Sequence, residues 1–159
     1  VAVAVRPDWD ETWLGVAEVI SRRSTCSRAK FGAVIVTEDN VQLASGYNGP
    51  PANWPRPTDN CYTWCPRARS GSTYLTGYDN CLTIHAEANA LLRCDDPRRR
   101  GGTIYVAPGG VPCWDCAKLI ANSGLTRVVY RASEIDQHRD PDRIHSFLED
   151  CKIRVDRLP

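Results

Sequence analysis

Residues 103–131 read TIYVAPGGVPCWDCAKLIANSGLTRVVYR, and this stretch decides the fold. Thr103 to Ala107 is a short apolar run of strand length, and Pro108 to Pro112 is a loop. Cys113 to Ser123 has the make-up of a helix, with Gly124 where a left-handed C-cap favours glycine. Arg127 to Arg131 is a second strand-like run. Strand, helix and strand in this order imply a parallel crossover with the helix on one face of a sheet.

The flanking sequence extends that unit on both sides. Asp8 or Asp10 can cap a helix whose buried face is Trp13, Leu14, Val16, Ala17 and Ile20, ending near Arg22 and Arg23. Phe31 to Thr37 and Val41 to Tyr47, joined by the turn cluster Glu38-Asp39-Asn40, form a hairpin. His85 to Cys94 consists almost entirely of helix formers and is broken by Asp95-Asp96-Pro97 and Gly101-Gly102. After Pro141 the apolar positions Ile144, Phe147 and Leu148 predict another helix, followed by a last strand around Lys152 to Val155. Between hairpin and second helix, residues 48–80 are rich in Gly, Pro, Asn and Tyr and have no period. A structureless connection that long is usually functional or stapled by metal. The sum is α-β-β-α-β-α-β with extra C-terminal elements, a helix-covered mixed sheet.

Composition narrows the class. The chain has 159 residues, 42% of them hydrophobic and 25% charged, which predicts one globular domain over 1–159 and excludes disorder. Its formal charge of +1 provides no broad positive field for a polynucleotide, whereas a small anionic ligand needs only a local basic patch. No apolar run approaches the roughly 20 residues of a bilayer-spanning helix. The run Val1 to Val5 lacks the features of a secretory signal, so the expectation is a soluble, cytoplasmic protein without a membrane partner. Eight cysteines in such a setting read as metal ligands or reactive thiols rather than disulfides.

The chemistry-bearing residues open two helices. His85-Ala86-Glu87 begins one and Pro112-Cys113-Trp114-Asp115-Cys116 the next, with one strand between them. Three residues apart in a first helical turn, Cys113 and Cys116 present both sulfurs on one side, and the helix N-terminus favours the thiolates that zinc needs. With the His85 imidazole they supply three protein ligands and leave one position open, the pattern of a catalytic zinc. Glu87 projects beside the metal as general acid and base. Taken singly, His-x-Glu is usually a surface pair, and Cys-x-x-Cys reads equally as a redox motif or as half of a structural zinc site. Together, each opening a helix, they favour a common site.

His-x-Glu followed by Pro-Cys-x-x-Cys is the signature of zinc nucleoside and nucleobase deaminases. Further segments are more specific: Arg23 to Arg28, Phe31 to Val36, Gly46-Tyr47-Asn48-Gly49-Pro50-Pro51, His85 to Ala90, and Cys116 to Ile120. Over nearly its whole length the sequence resembles the deoxycytidylate deaminase branch of the zinc-dependent cytidine/deoxycytidylate deaminase superfamily. The resemblance implies an α/β, three-layer α-β-α fold around a central mixed five-stranded sheet, with a loop insertion at about 48–83. It implies hydrolysis of dCMP to dUMP and ammonia, with hydroxide generated at zinc attacking C4 and Glu87 protonating N3 and then the leaving amine.

By the same resemblance Asn48 contacts the deoxyribose, and Ala86 and Cys113 offer backbone groups to the base. Cys26, Cys61, Cys65 and Cys81 would hold a second, structural zinc, with four buried inert thiols as the alternative. The assembly would be a homo-oligomer, commonly a hexamer, with dCTP and dTTP as effectors and the Gly46 to Pro51 segment serving that role. For the 5′-phosphate the residues favoured are Ser24, Arg28 and Lys30, a hydroxyl and cations just before the first strand. A solvated helix end that includes Arg22 and Arg23 is the competing reading. Arg98-Arg99-Arg100 reads as a solvated loop, Cys94 and Cys151 as small core residues, and His138 and His145 as exposed polar positions. Trp54, Tyr62, Trp64, Tyr74 and Tyr78 read as loop packing.

Ala107-Pro108-Gly109-Gly110-Val111 is about two residues longer than the family pattern. The added glycines would leave room near C5 of the base, for a 5-modified dCMP. Competing functions are deamination of a free nucleoside or base, deamination of a base within RNA or single-stranded DNA, and a non-enzymatic zinc-binding interaction module.

Overall fold

The strand signals become five strands of one sheet in a computed structural model that describes residues 5–55, 57–73 and 76–159. Tyr74 and Val1 to Ala4 of the opening apolar run lie outside these residues. In chain order the elements are α1 (Trp9–Ser21), β1 (Gly32–Val36), β2 (Gln42–Tyr47), α2 (Pro66–Arg69), α3 (Ala86–Leu92), β3 (Thr103–Ala107), α4 (Trp114–Ala121), β4 (Arg127–Arg131), α5 (Pro141–Asp150) and β5 (Arg154–Leu158). The sheet order is β2-β1-β3-β4-β5. The hairpin β1–β2 and the β1–β3 pair are antiparallel, while β3–β4 and β4–β5 are parallel. The crossover expected from residues 103–131 is therefore present, and α5 makes a second one.

Strand alternation divides the core into two faces. Val34, Val36, Tyr105, Ala107 and Val129 meet Leu14 and Ala17 of α1. Ala33, Ile35, Ile104, Val106, Val128 and Tyr130 meet α3, α4 and α5 through Ala86, Ala90, Ala117, Ile120, Ile144 and Leu148. One helix on one face and three on the other make the three-layer α-β-α architecture. These side chains are almost fully buried, so truncating Leu14 or Ile104 to Ala costs about 2–5 kcal/mol. Arg127 fastens α1 to the sheet, bonding Asp10 at 2.7 Å and Asp156 at 2.6 Å.

Two glycines set how closely helices approach. A Cβ at Gly32 would sit 1.9 Å from the carbonyl oxygen of Ala17, and one at Gly46 would sit 2.3 Å from that of Ala86. The second contact lets the N-terminus of α3 lie directly on β2. Asn89 strengthens it by donating from Nδ2 to the Tyr47 carbonyl at 2.8 Å.

The segment expected to lack structure contains α2 and two 3-10 turns, Cys61–Thr63 and Tyr78–Asn80. It is closed at its base by an antiparallel bridge between Gly49 and Ile84. The last strand begins at Arg154 and not at Lys152, because Lys152 adopts φ 63 in the turn that leaves α5. Cys94 is buried in the core, but Cys151 is exposed at the end of α5. His145 is half-buried, with Nε2 2.9 Å from the hydroxyl of Tyr130, while His138 is exposed. Among the described residues no helix is long and apolar enough to cross a membrane.

Candidate active site

Both helices that carry the motif start at the same place. His85 is the N-cap of α3 in an extended conformation and makes no side-chain capping bond, which leaves its ring free to face α4. Cys113 is the N-cap of α4, and its sulfur accepts the N–H of Cys116 at 3.5 Å. His85 Nδ1 lies 3.3 Å from Cys113 Sγ and 3.5 Å from Cys116 Sγ. Among the described residues this is the one set of three metal-ligating side chains whose ligand atoms all lie within 4.8 Å of one another.

Electrostatics suits a divalent cation. The hydrogen bond from Cys116 lowers the Cys113 thiol to about 4 against the effect of its burial, and the His85 bond adds to it. Cys116, donating that bond from a buried position, is pushed up. His85 is raised, chiefly by its bond to Cys113 and also by the charge of Glu87, although burial opposes this. A proton shared among two sulfurs and an imidazole is what a cation displaces on binding. Two thiolates and one neutral imidazole are a donor set that fits zinc, with three protein ligands rather than four.

Glu87 is the second residue of α3 and is buried, 5% exposed. Its charge acts on both His85 and Cys116. Among the described residues no hydrogen bond to its carboxylate is found, so the group is not committed to holding the fold. Ala86 is fully buried at the first position of the same helix.

Two cavities meet at His85. One of about 540 Å³ is bounded by His85, Cys113, Cys116, Trp114, Leu119 and Arg143. The other, about 350 Å³, is bounded by His85, Arg28, Phe31, Asn48, Arg67 and Ile135. Tyr78, Thr83 and Arg139 border both. The outer wall is stiffened where the Arg67 guanidinium lies 3.9 Å from the Tyr78 ring centre while donating to the carbonyls of Thr76 and Thr73.

The residues expected to hold phosphate divide three ways. Arg28 borders the smaller cavity. Lys30 is exposed and borders neither cavity. Ser24 is buried, donates its single hydroxyl proton to the Asn48 carbonyl at 2.8 Å and accepts the Cys26 N–H, so it has no donor left for a phosphate. Arg139, which the sequence reading passed over, borders the smaller cavity together with Arg28 and Arg67. It sits in the polar run 134–140, where nothing in the sequence separates it from solvated surface.

Asn48 donates to the Ala29 carbonyl and accepts the Phe31 N–H, both at 2.8 Å, tying the cation-bearing loop to the end of β2. One amide N–H and one lone pair remain for a ligand. The glycine-rich loop is packed where its glycines lack side chains. A Cβ at Gly109 would lie 1.7 Å from the Phe31 ring, and one at Gly110 would lie 2.5 Å from Asp136. These glycines let Phe31 and Asp136 lie close against the loop backbone.

Cys26, Cys61 and Cys65 form a second buried cluster with Trp64 and Ala68, and Cys81 packs against it. Cys26 is hydrogen-bonded to Cys61 and Cys65 to Cys81. No three of these sulfurs are gathered as tightly as the His85 set.

Comparison with known proteins agrees with this geometry. Residues 7–132 match the family described as the cytidine and deoxycytidylate deaminase zinc-binding region. The deoxycytidylate deaminase of Mycobacterium phage D29 is 48% identical over 130 residues, covering 79% of this chain and 95% of that protein. The deoxycytidylate deaminase of Saccharomyces cerevisiae is 36% identical over 157 residues, 98% of this chain, but this chain spans 46% of its length. The crystal structure of cyanophage S-TIM5 dCMP deaminase in complex with dCMP and dUMP superposes with a TM-score of 0.72. It is 28% identical, and the match covers 98% of this chain and 100% of that one. The match of residues 7–132 takes in His85, Cys113 and Cys116, and the chain belongs to the cytidine and deoxycytidylate deaminase zinc-binding family.

Proposed function

We propose that this chain is a zinc-dependent hydrolase that converts dCMP to dUMP and ammonia. The observation that carries the reading is the meeting of His85 Nδ1 with the sulfurs of Cys113 and Cys116, with buried Glu87 beside them, where two cavities join. The names of the phage and yeast relatives, and the dCMP and dUMP bound by the S-TIM5 enzyme, support the substrate.

His85, Cys113 and Cys116 would hold the zinc, which when bound acidifies a water and so provides the nucleophile for C4 of the base. Glu87 takes up the proton released and delivers it to N3 of the ring, then takes the hydroxyl proton from the tetrahedral C4 centre and delivers it to the departing amine as the C4 carbonyl forms, and its burial keeps bulk water from those transfers. The first-turn N–H groups of α3, beginning at Ala86, are donors for the base. Asn48 offers its remaining N–H to the deoxyribose, and Arg28 and Arg139 take the 5′-phosphate.

The proposal extends to a structural zinc on Cys26, Cys61, Cys65 and Cys81. Its support is that Cys26, Cys61 and Cys65 are buried in one cluster against which Cys81 packs, so four sulfurs from separate parts of the chain are brought to one place. It extends also to a homo-oligomer, a hexamer by the resemblance, regulated by dCTP and dTTP. A third cavity of about 380 Å³ supports the effectors. It is bounded by Tyr47, Gly49, Pro50, Pro51 and Arg93, together with Thr25, whose buried hydroxyl has no partner. Eight free cysteines suit the reducing cytoplasm.

Ammonia release measured on dCMP, CMP, deoxycytidine and dCTP, with metal analysis of the same protein, tests the reading. Expected are zinc in the protein and a preference for dCMP over deoxycytidine of roughly 10-fold or more, the worth of a charge-assisted phosphate contact. Equal turnover of the nucleoside, or release from an oligonucleotide alone, contradicts it.

A further inference from the structure

The backbone of Val111, two residues before the ligand Cys113, is gripped at its N–H and at its carbonyl by one 3-10 turn, Glu134–His138, and its end residue. Asp136 Oδ1 accepts the Val111 N–H at 2.8 Å. Arg139 donates from Nη1 to the Val111 carbonyl. Val111 is fully buried and Asp136 is 9% exposed, so neither bond is exchanged for water without cost. The turn itself is fixed by a capping box in which Asp136 Oδ2 accepts the Ser133 N–H and Ser133 Oγ accepts the Ile135 N–H. Gly110 is held at φ +74 against Asp136, and its N–H goes to the Arg131 carbonyl at 3.1 Å.

These contacts leave the loop before Cys113 without freedom to turn. We infer that Asp136 is a positioning residue: through Val111 it fixes both the metal ligand Cys113 and the cavity cation Arg139. Asp136 borders neither cavity at His85, and Arg157, 3.7 Å away, is the one cation paired with it among the described residues. Release of the Val111 N–H lets the peptide rotate. Cys113 then departs from the geometry that suits His85 and Cys116, and Arg139 loses its carbonyl anchor at the same time. The role of Arg139 toward phosphate rests on the proposed function, whereas the effect on metal binding does not.

The test combines zinc affinity, by chelator competition on the purified full chain, with the kinetic constants for dCMP. Asp136→Ala is expected to weaken zinc about 10- to 100-fold, the range for losing an outer support of a ligand, and to raise KM as well. Asp136→Asn retains an acceptor for the Val111 N–H and is expected to restore zinc affinity to within a few-fold. Arg139→Gln, which leaves the Val111 N–H on its acceptor, is expected to raise KM and to weaken zinc far less than Asp136→Ala. If Asp136→Ala yields no folded protein, Ser133→Ala, which uncaps the same turn and leaves Asp136 in place, is expected to weaken zinc several-fold. Unaltered zinc affinity in the folded variant, or no rescue by Asn, overturns the assignment. A loss of activity toward dCMP with the zinc pattern intact strikes the proposed substrate and leaves the positioning role standing.

Discussion

The chain contains two clusters of soft ligands built on different supports. His85, Cys113 and Cys116 stand at the first residues of two helices that rest on the sheet, and their ligand atoms lie within 4.8 Å of each other. Cys26, Cys61, Cys65 and Cys81 come from a loop and from short helical turns, and are drawn into two hydrogen-bonded pairs rather than one focus. Helix ends packed on a core are held by many buried contacts, so a site there is formed before its metal arrives. A site made of loops gains its geometry with the metal, and the binding energy goes into ordering the loop. The first arrangement suits catalysis, which needs three ligands and a fixed neighbouring carboxylate. The second suits a staple.

Breaking the first cluster should have the largest effect. Cys116→Ser is expected to remove zinc from the catalytic site and bring turnover to background, while the fold, measured by far-ultraviolet circular dichroism, is retained. Active protein with full zinc would place the ligand set elsewhere.

Next comes the cavity between the clusters. Arg139→Gln removes a charge-assisted bond worth about 1.5–3 kcal/mol, or roughly 10- to 150-fold in kcat/KM for dCMP. Steady-state kinetics with deoxycytidine should show a much smaller change, and an equal loss on both substrates would assign Arg139 a purely structural role.

Smallest in activity is the second cluster. Cys65→Ser is expected to lower zinc content by one per chain and Tm by several degrees, with kcat within a few-fold of the unsubstituted protein. Unchanged metal content would make the four thiols simple core residues and confine metal binding to the first cluster.

What the sequence disclosed follows the same division. α1 and β1 to β4 were readable because capping residues, alternation and helix-breaking glycines act locally, as at Asp8 and Gly124. The metal ligands were readable because two short motifs fix spacing within a helical turn. The cavity cations were only partly readable. Arg28 adjoins a recognisable segment, whereas Arg139 reaches the cavity through the path of the chain after β4, and no local pattern records that path. Nothing in the sequence indicates that the Ser24 hydroxyl is engaged by the distant Asn48 carbonyl. Gly109 and Gly110 suggest space in the sequence, and nothing local shows that Phe31 and Asp136 lie close against them. Asp136 gave no signal, since an acid in a polar run acquires meaning only when it meets the Val111 N–H 25 residues away.

The most direct test of the account is Glu87→Gln, assayed for zinc and for ammonia release from dCMP on one preparation. The account predicts zinc content equal to the unsubstituted protein with kcat reduced by on the order of 10²- to 10⁴-fold, the share of a general acid and base. Zinc retained together with undiminished turnover would show that Glu87 carries no proton in the reaction and would contradict the mechanism.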